Sequence, residues 1–128
     1  MTYHFSKRLE GDFDAIIERV TAALKQEGFG VLSDIDVKAT LKKKIDVDFR
    51  PYRILGACNP SLAYKALQSE DKIGTMLPCN VIVQQQGDGA IEVSAVSPTA
   101  SMQAVDNPDL AAIANTVEGK LKAVIAAL

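Results

Sequence analysis

The sequence predicts one α+β domain: a single antiparallel sheet of about five strands, helices on one face, in the order β-α-β-β-α-β-β-α. Three observations carry that reading. Short stretches alternate apolar and polar residues with the period of a half-buried strand. Longer stretches repeat apolar residues every three or four positions, as one face of a helix requires. Between them stand glycines and Asn/Asp residues of the kind that end strands and cap helices.

Residues 2–9 form the first strand, with Tyr3, Phe5, Lys7 and Leu9 on one parity and Thr2, His4, Ser6 and Arg8 on the other. Gly11-Asp12 ends it, and the Asp12 carboxylate suits a helix N-terminus. Phe13, Ile16, Ile17, Val20 and Leu24 then recur at helical spacing. Gly28 fits the left-handed position that closes a helix. Residues 29–37 alternate again, placing Phe29, Val31, Ile35 and Val37 on one expected face. Lys38 to Asp46 reads as a short helix or single turn, with Leu41 and Ile45 inward and the lysines in water. Residues 52–58 form the third strand.

Asn59-Pro60 opens a helix. Asn caps it, and proline fits the first turn, where its missing N–H had no partner. Leu62, Ala63, Ala66 and Leu67 give its apolar side. A loop follows around Gly74 to Pro78. Asn80 to Gln86 and Ala90 to Val96 are the last two strands, joined by a tight hairpin at Gly87-Asp88-Gly89. Asn107-Pro108 repeats the capping device. Helical periodicity then runs from Leu110 to Leu128, about 30 Å at ~1.5 Å per residue.

The 128 residues fit one domain spanning 1–128, with no linker or repeat. Apolar residues make up 48% of the chain, enough to form a core. Tryptophan is absent and aromatics are 5%, so the core is aliphatic and offers little surface for stacking bases or sugars. Net charge is −2, which provides no field to hold a polyanion, and nucleic acid is not expected as a partner. No secretory leader and no membrane segment is read in the sequence. A cytoplasmic location is expected, with Cys58 and Cys79 reduced.

Helices are expected over the face bearing Tyr3, Phe5, Phe29 and Val31. The other face carries His4, Ser6 and Arg8. They are joined either by Arg53, Leu55 and Ala57 or by Glu92, Ser94 and Val96, depending on register. Such a half-polar face suits a homodimer contact, a shallow ligand surface or an ordinary solvated sheet.

The sharpest chemical idea concerns the two cysteines. Cys58 precedes a helix start, whose free N–H groups favour a thiolate. Cys79 follows Leu77-Pro78 at a strand start. The two thiols would face one pocket if these segments meet. A small buried cysteine packing as a hydrophobe is the plainer account. No metal is expected, because zinc needs about four ligands and His4 is the only histidine. Asp34, Asp36, Asp46 and Asp48 could gather oxygen ligands, but turns and solvation explain them as well. Lys42-Lys43-Lys44, with Lys38, could touch a phosphate, but a wet helix face is the plainer account. Nothing calls for a cofactor.

The stretch Gly56-Ala57-Cys58-Asn59-Pro60, then Ala63, Leu67, Gly74 and Leu77-Pro78-Cys79-Asn80-Val81, resembles the domain-of-unknown-function 302 family. Gly28-Phe29, Asp36-Val37, Lys38, Leu41 and Lys44 upstream fit the same pattern. So do Val96-Ser97-Pro98, Met102 and Asn107-Pro108 downstream. The resemblance implies a small bacterial or archaeal domain of TATA-binding-protein-like fold, and a dimer. It implies no established activity. By carry-over, a common site is expected at Cys58, Asn59, Pro60, Pro78, Cys79 and Asn80. The functional expectation is a non-enzymatic homodimeric module that binds a small molecule or a partner. The alternative is a thiol-dependent enzyme, or a redox or carrier protein, using Cys58 and/or Cys79.

Overall fold

A computed structural model describes residues 2–128. Its elements are β1 (His4–Leu9), α1 (Phe13–Gln26), β2 (Gly30–Asp36), α2 (Val37–Ile45), β3 (Tyr52–Cys58), α3 (Pro60–Ser69), a 3-10 turn (Ile73–Met76), β4 (Cys79–Gln85), β5 (Ile91–Val96), α4 (Pro98–Ser101) and α5 (Pro108–Ala126). The five strands form one antiparallel sheet in the order β1-β5-β4-β3-β2. The expected α+β architecture is therefore observed. α2, read as a short helix or single turn and absent from the expected order, is a nine-residue helix, and the 3-10 turn and α4 are added.

The helix starts follow their caps. Asp12 accepts a hydrogen bond from the Ala15 N–H at 3.0 Å, and Asp36 accepts one from Ala39 at 2.9 Å. Asn107 accepts from the N–H groups of Asp109 and Leu110. Each satisfies donors that the first helical turn leaves free.

Strand register settles which face is covered. Leu55 lies opposite Val81, Ala57 opposite Cys79, and Val83 opposite Val93. These residues lie under the helices, so Leu55 and Ala57 do not belong to the open face. The open face joins His4, Ser6 and Arg8 to Val96, Ser94 and Glu92, their cross-strand partners. Arg53 shares the parity of Leu55, and its Nε donates to Asp34 Oδ1 at 2.7 Å. Tyr3 precedes β1 and is 70% exposed, packing edge-on against the His4 ring instead of joining the core.

β2 departs from simple alternation. A bulge shifts the register between Val31 and Ser33. Val31 opposes Ala57 towards the helices, whereas Ile35 opposes Ile54 on the open face. Val37 has already entered α2. The extra residue of a bulge reverses the parity of everything beyond it.

The core lies between the sheet and the α1–α5 layer. Ile16, Val20 and Leu24 of α1 and Leu121 and Val124 of α5 meet Val81, Val83, Ile91 and Val93, none more than 1% exposed. Full burial of one such side chain contributes roughly 1.5–3 kcal/mol. A second, smaller cluster of Ala66, Ile73 and Leu110 joins α3 to the start of α5.

Candidate functional site

α3 leaves β3 through Asn59, whose side chain works in two directions. Its Oδ1 accepts from the Leu62 N–H at 3.3 Å, and its Nδ2 donates to the Glu27 carbonyl at 3.5 Å. The helix start is thereby tied to the loop after α1. Gly28 sits in that loop with φ +84°, and a Cβ there would stand 3.0 Å from Asn59 Nδ2. Gly56 is constrained more tightly. A Cβ on it would lie 2.3 Å from Ser33 Oγ and 2.8 Å from Pro78 Cγ. These contacts bring β2, β3 and the start of β4 together at one end of the sheet.

α3 packs against α5 at this end, and the space beneath them is not filled. A hollow of about 350 Å³ remains, walled by Phe29, Ala57, Leu62, Ala66, Leu77 and Val117 among others. No charged side chain lines it. The two cysteines and Asn59 are the chemically distinctive groups along its wall. At the ~30 Å³ a water molecule takes in the liquid, it has room for about a dozen non-hydrogen atoms. Its size and apolar lining are those of a small-molecule site.

Of the six expected site residues, Cys58, Asn59, Pro78 and Cys79 border this hollow. Pro60 is exposed at the first turn of α3 and only shapes the helix start. Asn80 points to the other face, where it borders a groove of about 460 Å³ with His4, Tyr52, Gln84 and Glu92. In that groove His4 Nδ1 lies 2.8 Å from Ser6 Oγ, and Ser6 Oγ lies 2.7 Å from Ser94 Oγ. His4 does not border the cysteine-lined hollow.

The thiols share one hollow, as the sequence suggested they could. Burial pushes the Cys79 thiol up to about 11, and the neighbouring Cys58 pushes in the same direction. Cys79 is therefore a neutral thiol at physiological pH. No three His, Cys, Asp or Glu side chains among the described residues are grouped to hold a metal ion.

The opposite wall comes from a strap after β5, contributing Pro98 and Met102. A carboxylate on α5 anchors its start. Glu118 accepts from Ser97 Oγ, from the Thr99 N–H at 3.3 Å and from Thr99 Oγ1 at 2.6 Å. Burial opposes its charge, yet these bonds, with Lys122 at 3.8 Å, hold the carboxyl below the usual range. Neither Glu118 nor the strap was signalled as a site in the sequence, where Val96-Ser97-Pro98 and Met102 entered only through the family resemblance.

The sequence pattern of the family described as Domain of unknown function DUF302 matches residues 5–128. The chain belongs to the DUF302 family. A crystal structure of an uncharacterized conserved DUF302 protein from Bacillus stearothermophilus has the same fold, with a TM-score of 0.91. It is 33% identical, and the similarity covers 98% of each chain. No curated protein is significantly similar to the chain. Within the matched range, Asn59 and Pro78 border the hollow, and the close approach of Gly56 to Ser33 and Pro78 lies at the same end of the sheet.

Proposed function

We propose that this domain is a non-enzymatic module that binds a small, uncharged, apolar molecule, and that it works as a homodimer in the cytoplasm. The observation that carries the reading is the 350 Å³ hollow lined without a charged side chain. A cavity of that kind gains by taking up hydrocarbon and loses by taking up an ion.

The test is titration with a neutral solvatochromic naphthalene dye. Saturable binding with a blue-shifted emission is expected. Ala63→Leu, which adds bulk to the α3 wall, should abolish it. An unaltered dye spectrum with the native chain overturns the reading.

The dimer rests on the open face. Ile35, Ile54 and Ile82 lie side by side across three strands and continue into Ser94 and Ser6. Arg8 and Glu92 on the same face make neither sign of charge dominant. Two copies related by a two-fold axis can set one isoleucine row against the other. Light scattering at micromolar concentration should give a dimer mass, and Ile54→Lys a monomer. A monomer mass for the native chain overturns this part.

No helix among the described residues is long and apolar enough to cross a membrane. Lys42 of the lysine cluster is engaged by Asp46 at 2.9 Å and Asp48 at 3.3 Å, so nucleic acid is not proposed as a partner.

A second reading, thiol chemistry, has one observation in its favour: Cys58 and Cys79 border the same hollow. The raised Cys79 weighs against it, since the thiolate is the nucleophile. Alkylation of Cys79 should be slow at neutral pH and accelerate towards pH 11. Rapid alkylation at pH 7 would restore the thiol reading.

A further inference from the structure

The hollow under α3 has a neighbour. On the far side of the strap lies a second hollow of about 250 Å³, bordered by Thr99, Val105, Ala111 and Asn115. Met102 and Ala114 border both. Ala114 is a short side chain on a continuous helix and cannot move aside. Met102 is unbranched, with three rotatable bonds, and is the adaptable part of the partition.

The backbone beneath Met102 is held at both ends. The Ser97 N–H donates to the Tyr3 carbonyl at 2.7 Å, and Ser97 and Thr99 are bound to Glu118. At the other end, Asn107 Nδ2 donates to the Ser69 carbonyl at 2.9 Å. Between these anchors, Met102 N–H donates to Pro98 and its carbonyl accepts from Val105, both at 3.0 Å. With the main chain so tied, the side chain moves more easily than the strap.

We infer that Met102 is a gate between the two hollows and determines the longest straight alkyl chain that the site accepts. This rests on the proposed apolar-ligand reading. With Met102 in place, about a dozen non-hydrogen atoms fit, and removing it adds room for roughly eight more. The ligand class is an uncharged chain, because neither hollow offers a charged side chain to an ionic head group.

Calorimetric titration with a series of straight-chain primary alcohols tests the gate. Each buried methylene is worth roughly a fourfold gain in affinity. For the native chain, affinity should climb by that factor per methylene and then level off once the first hollow is full. Met102→Ala should move the plateau to longer alcohols by several methylenes. Met102→Leu, close in volume, should leave it in place, and Met102→Phe should bring it to shorter chains. An unchanged plateau in both Met102→Ala and Met102→Phe overturns the gate while leaving the ligand reading intact. Failure of the native chain to bind any alcohol overturns both. The thermal unfolding midpoint of each variant, measured alongside, separates a shifted plateau from a lost fold.

Discussion

α5 passes over two regions built differently from the same materials. Its C-terminal half, with Leu121, Val124 and Ile125, is sealed onto the sheet with α1. Its N-terminal half, with Ile113, Ala114 and Val117, runs along a hollow. The difference lies in side-chain size. Under α1 the facing residues are Ile16, Val20 and Leu24. Under α3 they include Ala57, Ala63, Ala66 and Ala114. Alanine at these positions on β3, α3 and α5 leaves volume that leucine or isoleucine fills under α1. Protein interiors are close-packed, and a void of this size forfeits dispersion contacts.

The largest expected effect probes the sealed end. Leu24→Ala should cost about 3–4 kcal/mol, the range for emptying a tight core site. Leu62→Ala on the wall of the hollow should cost no more than about 1 kcal/mol, because its neighbours already lack close contacts. Urea unfolding of both variants measures the contrast. Equal losses would erase the distinction between the two ends.

A smaller effect concerns the clamp that holds the strap. Glu118→Gln should cost about 1–2 kcal/mol at neutral pH, as expected for hydrogen bonds to a charged group. The carboxyl is held below the ordinary glutamate value of 4.5, so its contribution is complete above that value. It is lost as pH falls through the lower, folded-state value. The gap between native and Glu118→Gln stability should therefore close in acid. A gap independent of pH would show that the charge has no part in the clamp.

The smallest effect has the opposite sign. Ala63→Leu should stabilise by up to about 1 kcal/mol, as cavity-filling substitutions do. The same change in the tight core would be expected to overpack it. A loss of stability from Ala63→Leu would mean that the hollow has less usable space than its volume suggests.

Much of this architecture was legible in the residues. Asp12, Asn59 and Asn107 marked three helix starts because a cap is a local hydrogen bond between near neighbours. The bulge at Leu32 was not legible, since it exists only relative to β3. The face of Leu55 and Ala57 depended on the same pairing information. α4 spans four residues, too few for a helical period to show. Within the site, the sequence left open whether the two cysteine segments meet, because that depends on the pairing of β3 with β4. Asn80 was misplaced because it belongs to the same sequence motif as Cys79, and in a strand adjacent residues face opposite ways. The hollow was hidden for a different reason. Alanine on an apolar helix stripe reads as packing, and only the assembled layers reveal that nothing reaches across.

The β2 bulge also bears on the free edge of the sheet. β2 is an outermost strand, and such an edge invites another chain to add to it. Beyond the bulge it runs Ser33-Asp34-Ile35-Asp36, with acidic side chains at alternate positions. A regular incoming strand would meet broken spacing and then negative charge. The irregularity that turns Ile35 outward thus also discourages growth into ordered aggregates, and straightening it should make the chain more prone to polymerise.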